Sequence, residues 1–81
     1  MKLPRDLSGA ELARALSRYS YQITRQSGSH LRLTSGYKGT QHHVTIPAHA
    51  PLKIGTLSQI LADVAGYLEL TRDQLAKELF A

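Results

Sequence analysis

Hydrophobic residues recur along this chain with two different periods. Leu12, Leu16 and Tyr19 follow one another at i, i+4 and i+7, with Ala13 beside them and Arg14 and Arg18 on another face, the spacing of a one-sided amphipathic helix. Ser8 with Glu11 makes a capping-box pair, and Leu7 with Leu12 has the spacing of a hydrophobic staple, so this helix is expected to start at Ser8 and to end near Ser20. From Tyr21 the period drops to two. Tyr21 and Ile23, then Leu31 and Leu33, then Val44 and Ile46 alternate with polar residues, which predicts three half-buried antiparallel strands with one face on the helices and the other polar and open. Helical spacing returns with Leu57, Ile60, Leu61 and Val64, a middle helix of about Thr56 to Ala65 with Gly66 as its stop. Thr71 with Gln74, and Leu70 with Leu75, repeat the capping device and mark a short C-terminal helix.

The order predicts an α+β fold, α-β-β-β-α with an extra short C-terminal helix, in which the helices cover one face of a three-stranded antiparallel sheet. Its expected core is Leu12, Leu16, Ile23, Leu31, Leu33, Val44, Ile46, Leu57, Ile60, Leu61 and Val64. Register follows from the alternation, because residues opposite one another in an antiparallel pair share a face. Setting Ile23 opposite Leu33 makes Ser27-Gly28-Ser29 a three-residue loop and places His30 opposite Gln26. Setting Leu33 opposite Val44 and Leu31 opposite Ile46 leaves Tyr37-Lys38-Gly39-Thr40 as the second loop and brings Pro47 opposite His30, so that His49 emerges near His30. His30 and Arg32 then share the open face with Thr24 and Gln26. His43 shares that face beside Thr34, about 13 Å from His30 at 3.3 Å per residue, and His42, with inward parity, reads as packed or peripheral.

Eighty-one residues are read as one domain, residues 1–81, and a chain of this length buries only about 60–65% of its unfolded surface, so each large apolar residue matters. The chain has no cysteine, which excludes disulfides and thiol catalysis and fits a reducing compartment. Met1–Asp6 lacks the apolar stretch of a signal peptide, and no segment approaches the roughly 20 apolar residues that span a bilayer. The expected setting is the cytoplasm, away from membranes.

Charge sharpens the picture. From Leu12 to Ala62 there is no Asp or Glu, yet this stretch holds Arg14, Arg18, Arg25, Arg32, Lys38, Lys53 and all four histidines, while the net charge of the chain is only +4. Such a field suits a polyanion, RNA first. A zinc site would need three or four convergent ligands, whereas His42 and His43 are adjacent in a strand and diverge, so no metal is expected. A Ser-His-Asp triad lacks its carboxylate unless the chain ends supply one, and no Walker or Rossmann phosphate loop is present. What remains is a histidine near a second histidine in a cationic field, enough for RNA cleavage: one imidazole takes the 2′-hydroxyl proton, a second group protonates the leaving 5′-oxygen, and Arg or Lys stabilises the phosphorane. Taken alone, His30 is either such a group or a solvated hairpin histidine.

Gly28-Ser29-His30 at the first hairpin, Val44-Thr45-Ile46-Pro47-Ala48-His49, and Gly55-Thr56-Leu57 opening a helix with Ile60-Leu61 together resemble the HicA (YcfA-like) toxin family over about Leu7 to Gly66. The resemblance implies a fold like the double-stranded-RNA-binding domain, mRNA-cleaving ribonuclease activity, and inhibition by a HicB-type antitoxin. In that family the histidine of the Gly-Ser-His motif is catalytic, which falls on His30. Many members carry a second histidine directly after it, whereas this chain has Leu31, whose parity points to the core. The expected site is therefore His30 with His49 for proton transfer, and Arg25, Gly28, Ser29, Arg32 and Lys53 as RNA contacts, without metal or cofactor. The competing readings are an RNA-binding module that does not cut and a protein-interaction domain whose basic face docks an acidic partner. Incubation with RNA in EDTA separates the three.

Overall fold

The computed structural model describes residues 3–80. Helix α1 (Gly9–Leu16) opens on Ser8, whose hydroxyl accepts the Glu11 N–H while the Glu11 carboxylate accepts the Ser8 N–H; these bonds hold the Glu11 carboxyl below its ordinary pKa. A single 3-10 turn (Ser17–Tyr19) follows, and Ser20, left-handed at φ 66°, ends it. Strands β1 (Gln22–Ser27), β2 (His30–Ser35) and β3 (His42–Pro47) form one antiparallel sheet in the order β1-β2-β3. Helices α2 (Ile54–Leu68) and α3 (Arg72–Phe80) complete the α-β-β-β-α-α order. None of the described helices is long and apolar enough to cross a membrane.

Alternation along β2 and β3 turns Leu31, Leu33, Val44 and Ile46 toward the helices, where they join Leu12, Leu16, Leu57, Ile60, Leu61 and Val64 in one hydrophobic cluster. The expected pairs Leu31–Ile46, Leu33–Val44 and His30–Pro47 are all present. Ile23 is a correction. It pairs with Leu33 as expected but is 52% exposed, because the helical layer does not reach over the edge strand β1, whose six residues are all exposed. Tyr21, just before β1 and 1% exposed, anchors that edge instead. Tyr19, Leu52, Leu68 and Leu75 also belong to the core.

Two further expectations shift. The middle helix runs through Gly66 to Leu68, since burial of Leu68 and the hydroxyl contacts of Tyr67 hold a last turn that Gly66 alone would not stop. The actual stop is Glu69, left-handed at φ 61°, with the Leu70 N–H reaching back to the Ala65 carbonyl at 2.9 Å. The second hairpin pairs only as far as Ser35–His42, leaving a wider connection than four residues. At α3 the predicted box is present, with the Thr71 hydroxyl accepting the Gln74 N–H at 3.0 Å and the Gln74 amide oxygen accepting the Thr71 N–H at 2.8 Å.

Truncation separates the exposed edge strand β1 from the covered strands β2 and β3. Leu33→Ala or Ile46→Ala should cost on the order of 2–5 kcal/mol in denaturant unfolding, while Ile23→Ala, half in water already, should cost less than about 1 kcal/mol. Equal losses at all three positions would contradict the packing described here.

Candidate functional site

The first hairpin sets the site. Its loop is Gly28-Ser29, two residues rather than three, with Gly28 at φ 57°, the positive φ that a Gly-X turn asks of its first position. Ser27 therefore stands opposite His30, and Gln26 opposite Leu31, which corrects the expected His30–Gln26 pair. A bulge between Ile23 and Arg25 absorbs the difference. One extra residue in β1 moves Arg25 from opposite Leu31, on the helix side, to opposite Arg32 on the open face. Two arginines thus face each other across the strands, both exposed and neither in an ion pair among the described residues.

His30 begins β2 on this face, exposed, with no side-chain hydrogen bond to the described residues. Beside its end of the sheet runs the segment from Pro47 to Lys53. The Ala48 N–H donates to the Ser29 carbonyl at 2.5 Å, the Gly9 N–H to the His49 carbonyl at 3.0 Å, and the Leu52 N–H to the Leu7 carbonyl at 2.7 Å. These bonds fasten the segment to the hairpin tip on one side and to the start of α1 on the other. Gly9 permits the second contact, since a Cβ there would run into the Pro47 carbonyl oxygen. His49 and Lys53 line a cleft of about 420 Å³ with Pro47, Pro51, Leu52 and Thr56. His30 lies outside that lining. The expected residues thus gather at one end of the molecule in two groups: His30, Arg25 and Arg32 on the sheet, and His49 and Lys53 in the adjoining cleft. Gly28 and Ser29 form the turn between β1 and β2.

At the far end of the sheet the inward histidine, His42, is fully engaged. His42 Nδ1 lies 2.6 Å from the Tyr21 hydroxyl, Nε2 lies 3.1 Å from Asp63 Oδ1, and the ring stacks on Tyr67 at 4.7 Å. A carboxylate does reach an imidazole here, supplied by α2 from just beyond the acid-free stretch. Burial first, then Tyr67 and Asp63, raise the Tyr21 pKa, so its hydroxyl stays protonated beside His42 Nδ1. With both ring nitrogens bonded and one ring face covered, His42 holds the edge of the sheet to α2 and offers no free atom to a reactant. Among the described residues no three His, Asp or Glu side chains converge as a metal site.

Residues 9–65 match the family model described as HicA toxin of bacterial toxin-antitoxin. The chain belongs to the HicA toxin family. That makes it a toxin of a bacterial toxin–antitoxin system, with an antitoxin as its implied partner. Neither the curated proteins nor the solved structures compared with it contain a match. The matched segment takes in α1, the whole sheet, the Pro47–Lys53 segment and most of α2, and α3 lies outside it.

Two substitutions test how the site is held. Gly9→Ala should lower stability by about 1–3 kcal/mol through the clash with Pro47 and loosen the His49 segment, read as faster amide exchange at Ala48 and Leu52. Tyr21→Phe keeps the ring but strands His42 Nδ1, and should cost about 1–3 kcal/mol in unfolding; a neutral result would show that this hydrogen bond is dispensable.

Proposed function

We propose that this toxin is an endoribonuclease that cuts mRNA in the cytoplasm without a metal ion, using His30, and that a HicB-type antitoxin holds it in check by covering His30. The observation that carries the proposal is His30 itself: an exposed imidazole directly after the Gly28-Ser29 turn of the family-matched segment, without a side-chain hydrogen bond among the described residues, on the same face as two arginines that form no ion pair among those residues. An imidazole that only solvated the hairpin would not account for that cationic company.

RNA carries its own nucleophile. His30 removes the proton of the 2′-hydroxyl, the oxygen attacks the adjacent phosphorus, and the bond from phosphorus to the 5′-oxygen breaks, leaving a 2′,3′-cyclic phosphate and a 5′-hydroxyl. The departing oxygen needs a proton, which His49 donates from the neighbouring cleft. Lys53, which lines the cleft, neutralises the charge gathered on the phosphorane, while Arg32 and Arg25 on the sheet hold the RNA backbone. Gly28 and Ser29 let the strand approach the turn closely, since no side chain larger than a hydroxymethyl group stands there. These groups supply proton transfer and charge neutralisation between them, so the chemistry asks for no Lewis acid. A basic, exposed site of this kind is complementary to an acidic inhibitor surface.

Purified protein incubated with RNA in EDTA should cleave it, and His30→Ala, which removes no core packing, should lower the rate by about 10²–10⁴-fold while melting like the parent. His49→Ala should slow cleavage less. A folded His30→Ala protein that cuts RNA at the parental rate would overturn the mechanism. RNA retained in a gel shift but never cut would mark a binding module instead.

A further inference from the structure

His43 is left over by this scheme, and its surroundings are unusual. It lies on the open face, exposed, opposite Thr34. Its Nδ1 is 2.8 Å from the Thr34 hydroxyl, which is in turn 2.8 Å from the Thr24 hydroxyl. Thr24 is the bulge residue of β1, unpaired in the ladder, so the distortion that brings Arg25 onto this face also brings Thr24 into the chain of hydroxyls. The Thr24 hydroxyl also reaches the Arg32 carbonyl at 3.3 Å, so this run of hydroxyls fixes the ring of His43 from its Nδ1 side, and Nε2 has no partner among the described residues. Thr45, also exposed, stands opposite Arg32 between His43 and the Pro47 end of β3.

We infer that the open face of the sheet is a backbone-tracking groove for single-stranded RNA, in which the Arg25–Arg32 pair and His43, presented by Thr24 and Thr34, bind phosphates beyond the one being cut. The inference rests on the proposed RNA-cutting reading and extends it to residues that take no part in the chemistry. Three observations favour RNA. Like charges placed directly opposite across two strands are destabilising by themselves, so Arg25 and Arg32 ask for an anion that the described residues do not provide. Apart from Pro47 and the amide of Gln22, the side chains that the register places on this face are cations, imidazoles or hydroxyls, able to donate to phosphate oxygens. The face is also of the right size: three strands spaced about 4.8 Å apart make a strip about 10 Å wide, suited to one strand. The roughly 13 Å from His30 to His43 is about four nucleotide steps in a stacked strand, at 3.4 Å per step, and fewer in an extended one.

The test is binding of a labelled single-stranded RNA long enough to cross the sheet, followed by fluorescence anisotropy across rising salt, with a dinucleotide as the short comparison in cleavage. Arg25→Gln and His43→Gln should each weaken binding of the long RNA several-fold and lower the slope of log K against log salt by about 0.7, the value for one lost phosphate contact on a single strand. In cleavage they should raise KM more than they lower kcat, and shrink the advantage of the long RNA over the dinucleotide. Thr34→Val should behave like His43→Gln, and Thr34→Ser, which keeps the hydroxyl, should restore binding. Thermal melts of each variant exclude loss of fold as the cause. If the parent binds and cuts RNA while folded Arg25→Gln and His43→Gln keep its affinity and salt slope, the groove is wrong and the ribonuclease reading stands. If the parent neither binds nor cuts RNA, both fall together. Variants that lose only their hold on an acidic protein, with RNA affinity intact, overturn the groove in favour of a protein-docking face.

Discussion

Most of the site depends on how closely α1 approaches the end of β3. The start of the helix lies against the Pro47 carbonyl with no room for a side chain at Gly9, and the Gly9 and Leu52 amides close hydrogen bonds across the junction. A segment from Pro47 to Lys53 that joins a strand to a helix would otherwise have to satisfy its backbone groups with water. Fastened at both sides, it keeps His49 and Lys53 beside the hairpin that carries His30. The same junction seats Leu52 in the core at 4% exposure, so hydrophobic burial and backbone bonding locate the segment together.

The sheet divides the labour of the protein between its faces. On the helix side, every buried polar side-chain atom among the described residues has a partner: Ser35 donates to the Tyr19 carbonyl at 2.6 Å, Tyr67 ties the β2–β3 connection to α2 through Thr40 and Lys38, and His42 bridges Tyr21 and Asp63. On the open side, His30, Arg25 and Arg32 have none. Partnering of polar groups is what stabilises a fold, and its absence is what leaves groups available to a ligand. Strand parity decides which fate an imidazole meets: His42 and His43 are neighbours in one strand, and one is enclosed while the other faces solvent.

Much of this was legible from the chain. Both capping boxes, the inward set on β2 and β3 and the pairing of His30 with Pro47 follow from spacing alone, because period and parity are local properties. The bulge follows from a conflict between two local signals. A Gly-Ser pair between strands favours a two-residue turn, which pairs Ser27 with His30, whereas the apolar alternation pairs Ile23 with Leu33; the two differ by one residue, and Thr24 is that residue. Judged by hydrophobic pairing alone, the bulge is invisible, and Arg25 is placed on the wrong face. Exposure of Ile23 and the reach of Asp63 to His42 were not legible, since they depend on how far the helices extend over the sheet, a property of tertiary packing. The continuation of α2 past Gly66 has the same origin.

The separation of faces also bears on why an antitoxin is implied for such a chain. Three of the six acids are engaged elsewhere: Glu11 caps α1, Glu69 pairs with Lys38 at 2.8 Å, and Asp63 holds His42. Among the described residues no acid pairs with a cation of the open face, and burying that face inside the chain would require a further layer that the fold does not contain. A carboxylate placed there would pair with Arg25 or Arg32 and weaken the field that the proposed chemistry needs. Neutralisation must therefore come from outside, reversibly, from whatever anion is present. On the proposed reading substrate and inhibitor compete for the same uncompensated charge, and the constraint that exposes the arginines to one exposes them to the other.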